Sequence, residues 1–211
     1  MNKGHKPGGR PGRVGLDEII DAALAIGLDQ VSMRAVARRL GVGASTLYYH
    51  VESVEQLRAL TGYRLLERLK LELDPTDWER TVTTAARALR ALLERAPGLA
   101  ETAISDPNWG DPTLRLNEQA CRLLADAGFS PADAWLGTRA VADFVEAFVI
   151  RARAHASAGH SDLDTAGRSN RDYPNMSAAS AALGDAAPER RFEFGLDCLL
   201  RGLRSLRAGD N

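Results

Sequence analysis

The side chains best able to do chemistry lie close together between Ser32 and Val51. Arg34 supplies a permanent planar cation, Ser32, Ser45 and Thr46 supply hydroxyls, Tyr48 and Tyr49 phenols, and His50 an imidazole. Groups of these kinds suit phosphate oxygens and base edges in a major groove, whereas Ala44 offers only a methyl group. They form no nucleophile–base pair. The chain holds no G-x-S-x-G elbow, H-E-x-x-H, P-loop or G-x-G-x-x-G, so no enzyme and no cofactor are expected. Cys121 and Cys198 are far apart and match no metal spacing; both read as small core hydrophobes in a reducing cytoplasm. His155 and His160, with Asp162 and Asp164, read as a solvated loop rather than a metal site.

Helices must position these groups, because the apolar periodicity is helical nearly throughout. Leu16, Ile19, Ile20, Ala23 and Leu24 recur at helical spacing before a stop at Gly27. Ser32 is placed to cap a second helix carrying Met33, Val36, Ala37 and Leu40. Gly41 then permits a left-handed turn, and Ala44–His50 forms a short third helix plugged by Leu47. Two helices joined this way make a helix–turn–helix reader. An αα-hairpin buried in a helical core would bury Tyr48 and Tyr49 together. Neighbours on a helix point ~100° apart, so at least one tyrosine faces outward.

Ser53-Val54-Glu55-Gln56 is a capping-box pattern for a fourth helix through Tyr63 to about Leu73. Further helices are expected at Trp78–Ala96, Leu99–Ile104, Asp111–Ala127, Ser130–Ser157, Met176–Leu183 and Glu189–Arg207, with a long polar loop over Ala158–Asn175. The fold expected is all-α, with a flexible basic arm (1–15), a helix-turn-helix domain (16–62) and a C-terminal helical bundle (63–211). Stripes on the last two long helices (Trp135, Val141, Phe144, Val145, Phe148 and Val149; Phe192, Leu196, Leu199, Leu200, Leu203 and Leu206) read first as core. Both are broad enough for two copies to build an intermolecular four-helix bundle through 130–157 and 189–207.

The charge of the 211 residues, 27 Lys and Arg against 28 Asp and Glu, nets −1 and conceals a local asymmetry. Lys3, Lys6, Arg10 and Arg13 give the arm +4 with no acid. Rich in Gly and Pro, the arm is expected to be disordered and to add phosphate attraction beside the reader, Arg10 and Arg13 foremost. No run approaches the ~18 apolar residues of a membrane span, and no apolar h-region marks a signal peptide. A soluble cytoplasmic protein without a membrane partner is expected.

Leu40-Gly41-Val42-Gly43-Ala44-Ser45-Thr46-Leu47-Tyr48-Tyr49-His50-Val51, followed by Leu57, resembles the DNA-reading signature of the tetracycline-repressor (TetR) family. Trp78, Gly128-Phe129-Ser130 and Phe192-Glu193-Phe194-Gly195-Leu196-Asp197 resemble the C-terminal module of its tetracycline-responsive branch. The resemblance implies a homodimeric regulator, a repressor released from palindromic operator DNA by a small-molecule effector. It gives Arg34 a groove contact, Ser32, Thr46, Tyr48 and His50 phosphate contacts, and Ala44 and Ser45 base-facing places. Two positions depart from the family pattern: Val54 replaces a phosphate-anchoring Lys, and Glu52 stands where basic residues also occur. They keep an alternative open, a helical ligand-binding or interaction module that has lost operator binding.

By rough correspondence with the family, the effector pocket would involve Lys70, Leu89, Trp109, Asn117, Trp135, Thr138, Asp143 and Arg151. Read without that resemblance, Trp135 is core and Asn117 a surface amide. The branch binds tetracycline–Mg²⁺ through imidazoles and a carboxylate. Here no His lies between His50 and His155, and Arg151 stands roughly where that carboxylate would be. Arg has no acceptor for Mg²⁺, so no metal site is expected.

Overall fold

The computed structural model describes residues 14–69, 72–105, 111–160, 173–184 and 187–207. Among them are α1 (Leu16–Ile26), α2 (Met33–Leu40), α3 (Ala44–Leu47), α4 (Val54–Leu66), a 3₁₀ turn (Pro75–Asp77), α5 (Trp78–Arg95) and α6 (Leu99–Ser105). Next come α7 (Asp111–Asp126), α8 (Pro131–Ala158), α9 (Pro174–Leu183) and α10 (Ala187–Leu206), and no described residue is in a strand. Serines start three of these helices: Ser32, Ser53 and Ser130 hydroxyls accept from the backbone N–H of Ala35, Gln56 and Asp133 at 3.1–3.2 Å.

The expected capping box at α4 is only half made. Gln56 Oε1 accepts from the N–H of Glu52 at 2.6 Å rather than from Ser53. Helix α4 also stops at Leu66, short of Leu73, in a tightened turn in which Arg68 and Leu69 donate to Leu65 and Leu66. Beyond the helix, half-buried Leu69 and exposed Leu73 border a cavity beside α5 and α7. Helix α3 is likewise shorter than expected, with Tyr48–His50 in a turn. Most of the predicted polar loop, 161–172, lies outside the described residues.

Two apolar clusters form. Ile19, Ile20, Ala23, Val36, Ala37, Leu47 and Leu57 make the first, closed by α1–α4. Trp78, Leu93, Val145, Phe192 and Leu196 belong to the second, in which α8 packs on α5, α7 and α10. Helix α4 feeds both, with Leu57 and Leu60 in one and Leu65 against the other. The first cluster is tied to the body by contacts of several kinds. Leu28 inserts into the second cluster, while within the first Arg58 Nη2 donates to the Val31 carbonyl at 3.0 Å. Gly98, at φ +88°, abuts the backbone of Leu28 and Asp29, where a Cβ would lie 3.0 Å from Asp29 N. Arg64 pairs with Asp17 at 2.5 Å, and that hydrogen bond raises the Arg64 pKa above its ordinary value.

Phe192 is the centre of the second cluster, 5.5 Å from the Phe144 ring and 5.1 Å from Phe148. The Arg90 guanidinium lies 4.5 Å above the Phe192 ring and is held by Glu94 and Glu189. Gly195 permits this arrangement, because a Cβ there would meet Phe144 Cε2 at 2.5 Å. Gly195→Ala gains about 1 kcal/mol of helix propensity but incurs an overpacking cost of about 1–3 kcal/mol. The expected net is a loss of stability of about 1–2 kcal/mol, read from the urea midpoint. An unmoved or raised midpoint would show that Phe144 retreats freely.

The long-helix stripes turn mostly into the chain's own core: Val141, Val145, Val149, Phe192, Leu196, Leu200 and Leu203 are buried. What α8 and α10 leave outward is a different face, with Leu136 and Phe194 exposed, the latter 72%. Cys198 shares the outer side of α10, so it is not the core hydrophobe expected from sequence; Cys121 is half-buried.

Candidate DNA-reading face and neighbouring cavities

Burial of Leu47 and Val36 fixes which side of α2 and α3 faces out. Gly41 adopts φ +68°, the left-handed turn only glycine enters cheaply, and Val42 N–H donates to the Ala37 carbonyl across it at 3.0 Å. Arg34, Ala44, Ser45, Tyr48, Tyr49 and His50 are thereby exposed, and Thr46 is half-buried. Tyr49 is 87% and Tyr48 56% exposed, so neither phenol supports the core. The Ser32 hydroxyl is occupied by its capping bond. Arg38 and Arg39 also lie exposed on α2, and they were missing from the residues singled out by sequence. Arg38 stands four residues after Arg34, one helical turn on, a spacing that could have marked it. None of these three arginines makes an ion pair or hydrogen bond among the described residues. Arg10 and Arg13 lie outside those residues.

Two adjoining cavities lie below the reader. The first, about 60 Å³, is walled by α4 (Gly62, Tyr63), α5 (Leu93), α6 (Leu99, Thr102), α7 (Thr113) and α8 (Arg139, Glu146). The second, about 110 Å³, lies between α5 (Val82, Ala86), α7 (Leu123, Leu124) and α8 (Gly137, Thr138, Val141), with Leu203 of α10 beyond. Leu89, Leu116, Asn117 and Ala142 line both. The walls are mainly aliphatic, with a few polar groups set into them, the character of a small-molecule pocket.

The polar groups in the first cavity are unusual. Glu146 is buried, and burial pushes its carboxyl up to about 7; Asp143 reinforces that shift, while Arg139 opposes it. Thr113 Oγ1 and Asn117 Nδ2 are buried without a hydrogen-bond partner. Glu146 and Thr113 were not anticipated. Their apolar neighbours along α7 and α8 make each look like an ordinary surface polar residue in sequence.

Of the pocket residues expected from sequence, Leu89, Asn117 and Thr138 line the cavities. Asn117 is thus not the surface amide of the plainer reading. Asp143 is instead exposed and paired with Arg139, and Arg151 is exposed on α8, because both lie on the helix face opposite Val145 and Val149. Trp135, 45% exposed, is neither core nor cavity wall; it borders a surface groove with Leu114 and Cys121. Lys70 and Trp109 lie outside the described residues. No three His, Cys, Asp or Glu side chains come together as a metal site among the described residues, and none of the described helices is long and apolar enough to cross a membrane.

Comparison with known proteins finds two matches along the chain. Residues 16–59 match the bacterial regulatory proteins, tetR family, and residues 71–207 match the tetracyclin repressor-like C-terminal domain. The class A tetracycline repressor protein of transposon 1721 from Escherichia coli is 29% identical over 195 residues, covering 89% of this chain and 88% of the relative. An HTH-type transcriptional regulator of Saccharopolyspora erythraea is 33% identical over 135 residues, 61% of this chain and 57% of its own. Among solved structures, the TetR family protein ActR of Streptomyces coelicolor in complex with actinorhodin superposes with a TM-score of 0.81 at 26% identity. That match covers 95% of this chain and 100% of ActR.

Proposed function

The chain belongs to the tetR family of bacterial regulatory proteins, and from that premise we propose that it is a homodimeric repressor released from a palindromic operator by a small molecule. Membership makes it a ligand-responsive DNA-binding transcriptional regulator. One observation carries the finer reading: α4 is a structural member of the reader at Leu57 and a wall of the first cavity at Gly62 and Tyr63. A molecule entering that cavity presses on the helix that holds the recognition residues.

In this reading residues 16–62 read DNA, 63–211 sense and dimerise, and the 1–15 arm adds phosphate contacts. Arg34, Thr46, Tyr48, Tyr49 and His50 approach one major groove with Ala44 and Ser45 over the bases. One short helix reads few base pairs, whereas two held ~34–36 Å apart read a palindrome. The segments 130–157 and 189–207 supply the dimer face. Small or polar residues there (Ala140, Ala147 and Ala154 on α8; Cys198, Gly202 and Ser205 on α10) permit close helix approach around Leu136 and Phe194. Effector binding moves α4 and changes the spacing of the two readers. A ~100-fold preference of effector for the free state shifts the equilibrium by about 2.7 kcal/mol.

Selection of bound sequences from random DNA tests this reading, and an inverted repeat is the expected product. Failure to enrich any sequence would favour the second reading, a sensor module without operator binding. That reading has one observation of its own, the exposed acid Glu52 beside His50. Deleting residues 1–13 is expected to weaken operator binding and to flatten its salt dependence, by about 0.9 in log–log slope for each phosphate the arm neutralises. An unchanged slope would remove the arm from the interface. Tetracycline with Mg²⁺ is expected to give no binding heat, since Arg151 offers no ligand oxygen. Mg²⁺-dependent heat in calorimetry would overturn that.

A further inference from the structure

Resting on the reading of these cavities as the effector site, we infer that the effector is an uncharged, largely apolar molecule bearing both a carbonyl oxygen and a hydroxyl, recognised by Asn117, Thr113 and Glu146. Asn117 Nδ2 only donates, and it is buried with no acceptor, so it calls for an oxygen brought in by a ligand. Thr113 Oγ1, equally buried and unpartnered on the same helix and in the same wall, can donate to that oxygen or accept from a neighbour. Glu146 faces the cavity from α8, and a carboxyl oxygen there can accept from a ligand O–H in either protonation state. An apolar wall alone would have no use for the unpartnered Thr113 and Asn117 groups, because a buried polar group without a partner is destabilising.

Charge excludes the other classes. Glu146 and Arg139 lie in the same wall and offset one another, so neither an anion nor a cation meets an unopposed countercharge, and Tyr63 is the one aromatic ring among the cavity's described lining residues. A sugar-like ligand would strand its hydroxyls against Leu89, Leu93, Leu99 and Leu116. The two cavities share Leu89 and Asn117, so a ligand of two or three rings would occupy both and place its polar atoms near the shared wall.

The test is calorimetry on the full chain with three probes: flavone, which has the carbonyl only; 6-hydroxyflavone, which adds the hydroxyl; and tetraphenylphosphonium, an apolar cation. Wild type is expected to bind 6-hydroxyflavone roughly tenfold or more tighter than flavone, and the cation least. In Glu146→Leu the advantage of the hydroxyl disappears while flavone still binds. In Asn117→Leu and Thr113→Val both flavones weaken, and Thr113→Val, nearly isosteric, guards against misfolding. Equal affinity for the two flavones, no binding of either, or preference for the cation overturns the inference. No DNA is present, so discrimination among probes stands even if the chain proves to bind no operator. Operator binding with no probe discrimination fails this inference alone.

Discussion

Arg34→Ala is expected to abolish specific operator binding while leaving the fold and the dimer intact. The side chain is exposed on the first turn of α2 and has no partner among the described residues, so its removal strands nothing in the core. A charged contact to DNA is worth about 1–3 kcal/mol. The proposed dimer presents Arg34 twice, so the loss is about 2–6 kcal/mol, or roughly 30-fold to more than 10⁴-fold in affinity. A gel shift at fixed salt reads the effect, with melting temperature as the control. Retained wild-type affinity would move the reading role to Arg38, which faces outward one turn along.

The second large effect is on stability and comes from Glu146. Its carboxyl titrates at about 7 in the folded chain against 4.5 ordinarily, so folding favours the protonated form. The destabilising effect of ionisation is therefore absent below about pH 4.5, grows between about 4.5 and 7, and is complete above 7. Its full size is on the order of 3 kcal/mol. Urea unfolding of wild type and Glu146→Gln at pH 5 and pH 8 isolates it, because other titrating groups cancel in the difference. The variant is expected to gain stability relative to wild type at pH 8 and little at pH 5. Parallel pH profiles would mean that water reaches Glu146 and relieves its burial.

Local rules made much of the fold legible. Ser32, Ser53 and Ser130 mark helix starts because a hydroxyl satisfies an orphan backbone N–H within three residues, and Gly41 marks the turn because its φ of +68° is cheap only without a Cβ. Helical geometry required at least one of Tyr48 and Tyr49 to face outward; in the turn they occupy, both do. Signals failed where the deciding partner is distant in sequence. Nothing in the sequence between Leu66 and Leu73 breaks a helix, yet α4 ends at Leu66, with Leu69 and Leu73 bordering a cavity beside α5 and α7. The outward turn of Trp135 and the partly buried amide of Asn117 are also set by how α7 lies on α8.

The same division runs through function. By itself the sequence determined the reader, since a cap, a left-handed glycine and the exposed side chains between them interact within about twenty residues and carry their own geometry. It also determined the charge asymmetry that a net of −1 conceals. Only the tertiary structure decided the proposed sensor. Thr113, Asn117 and Glu146 come to line one cavity because α7 packs directly on α8, with α4 alongside α7, and a polar residue acquires its meaning from what removes its water.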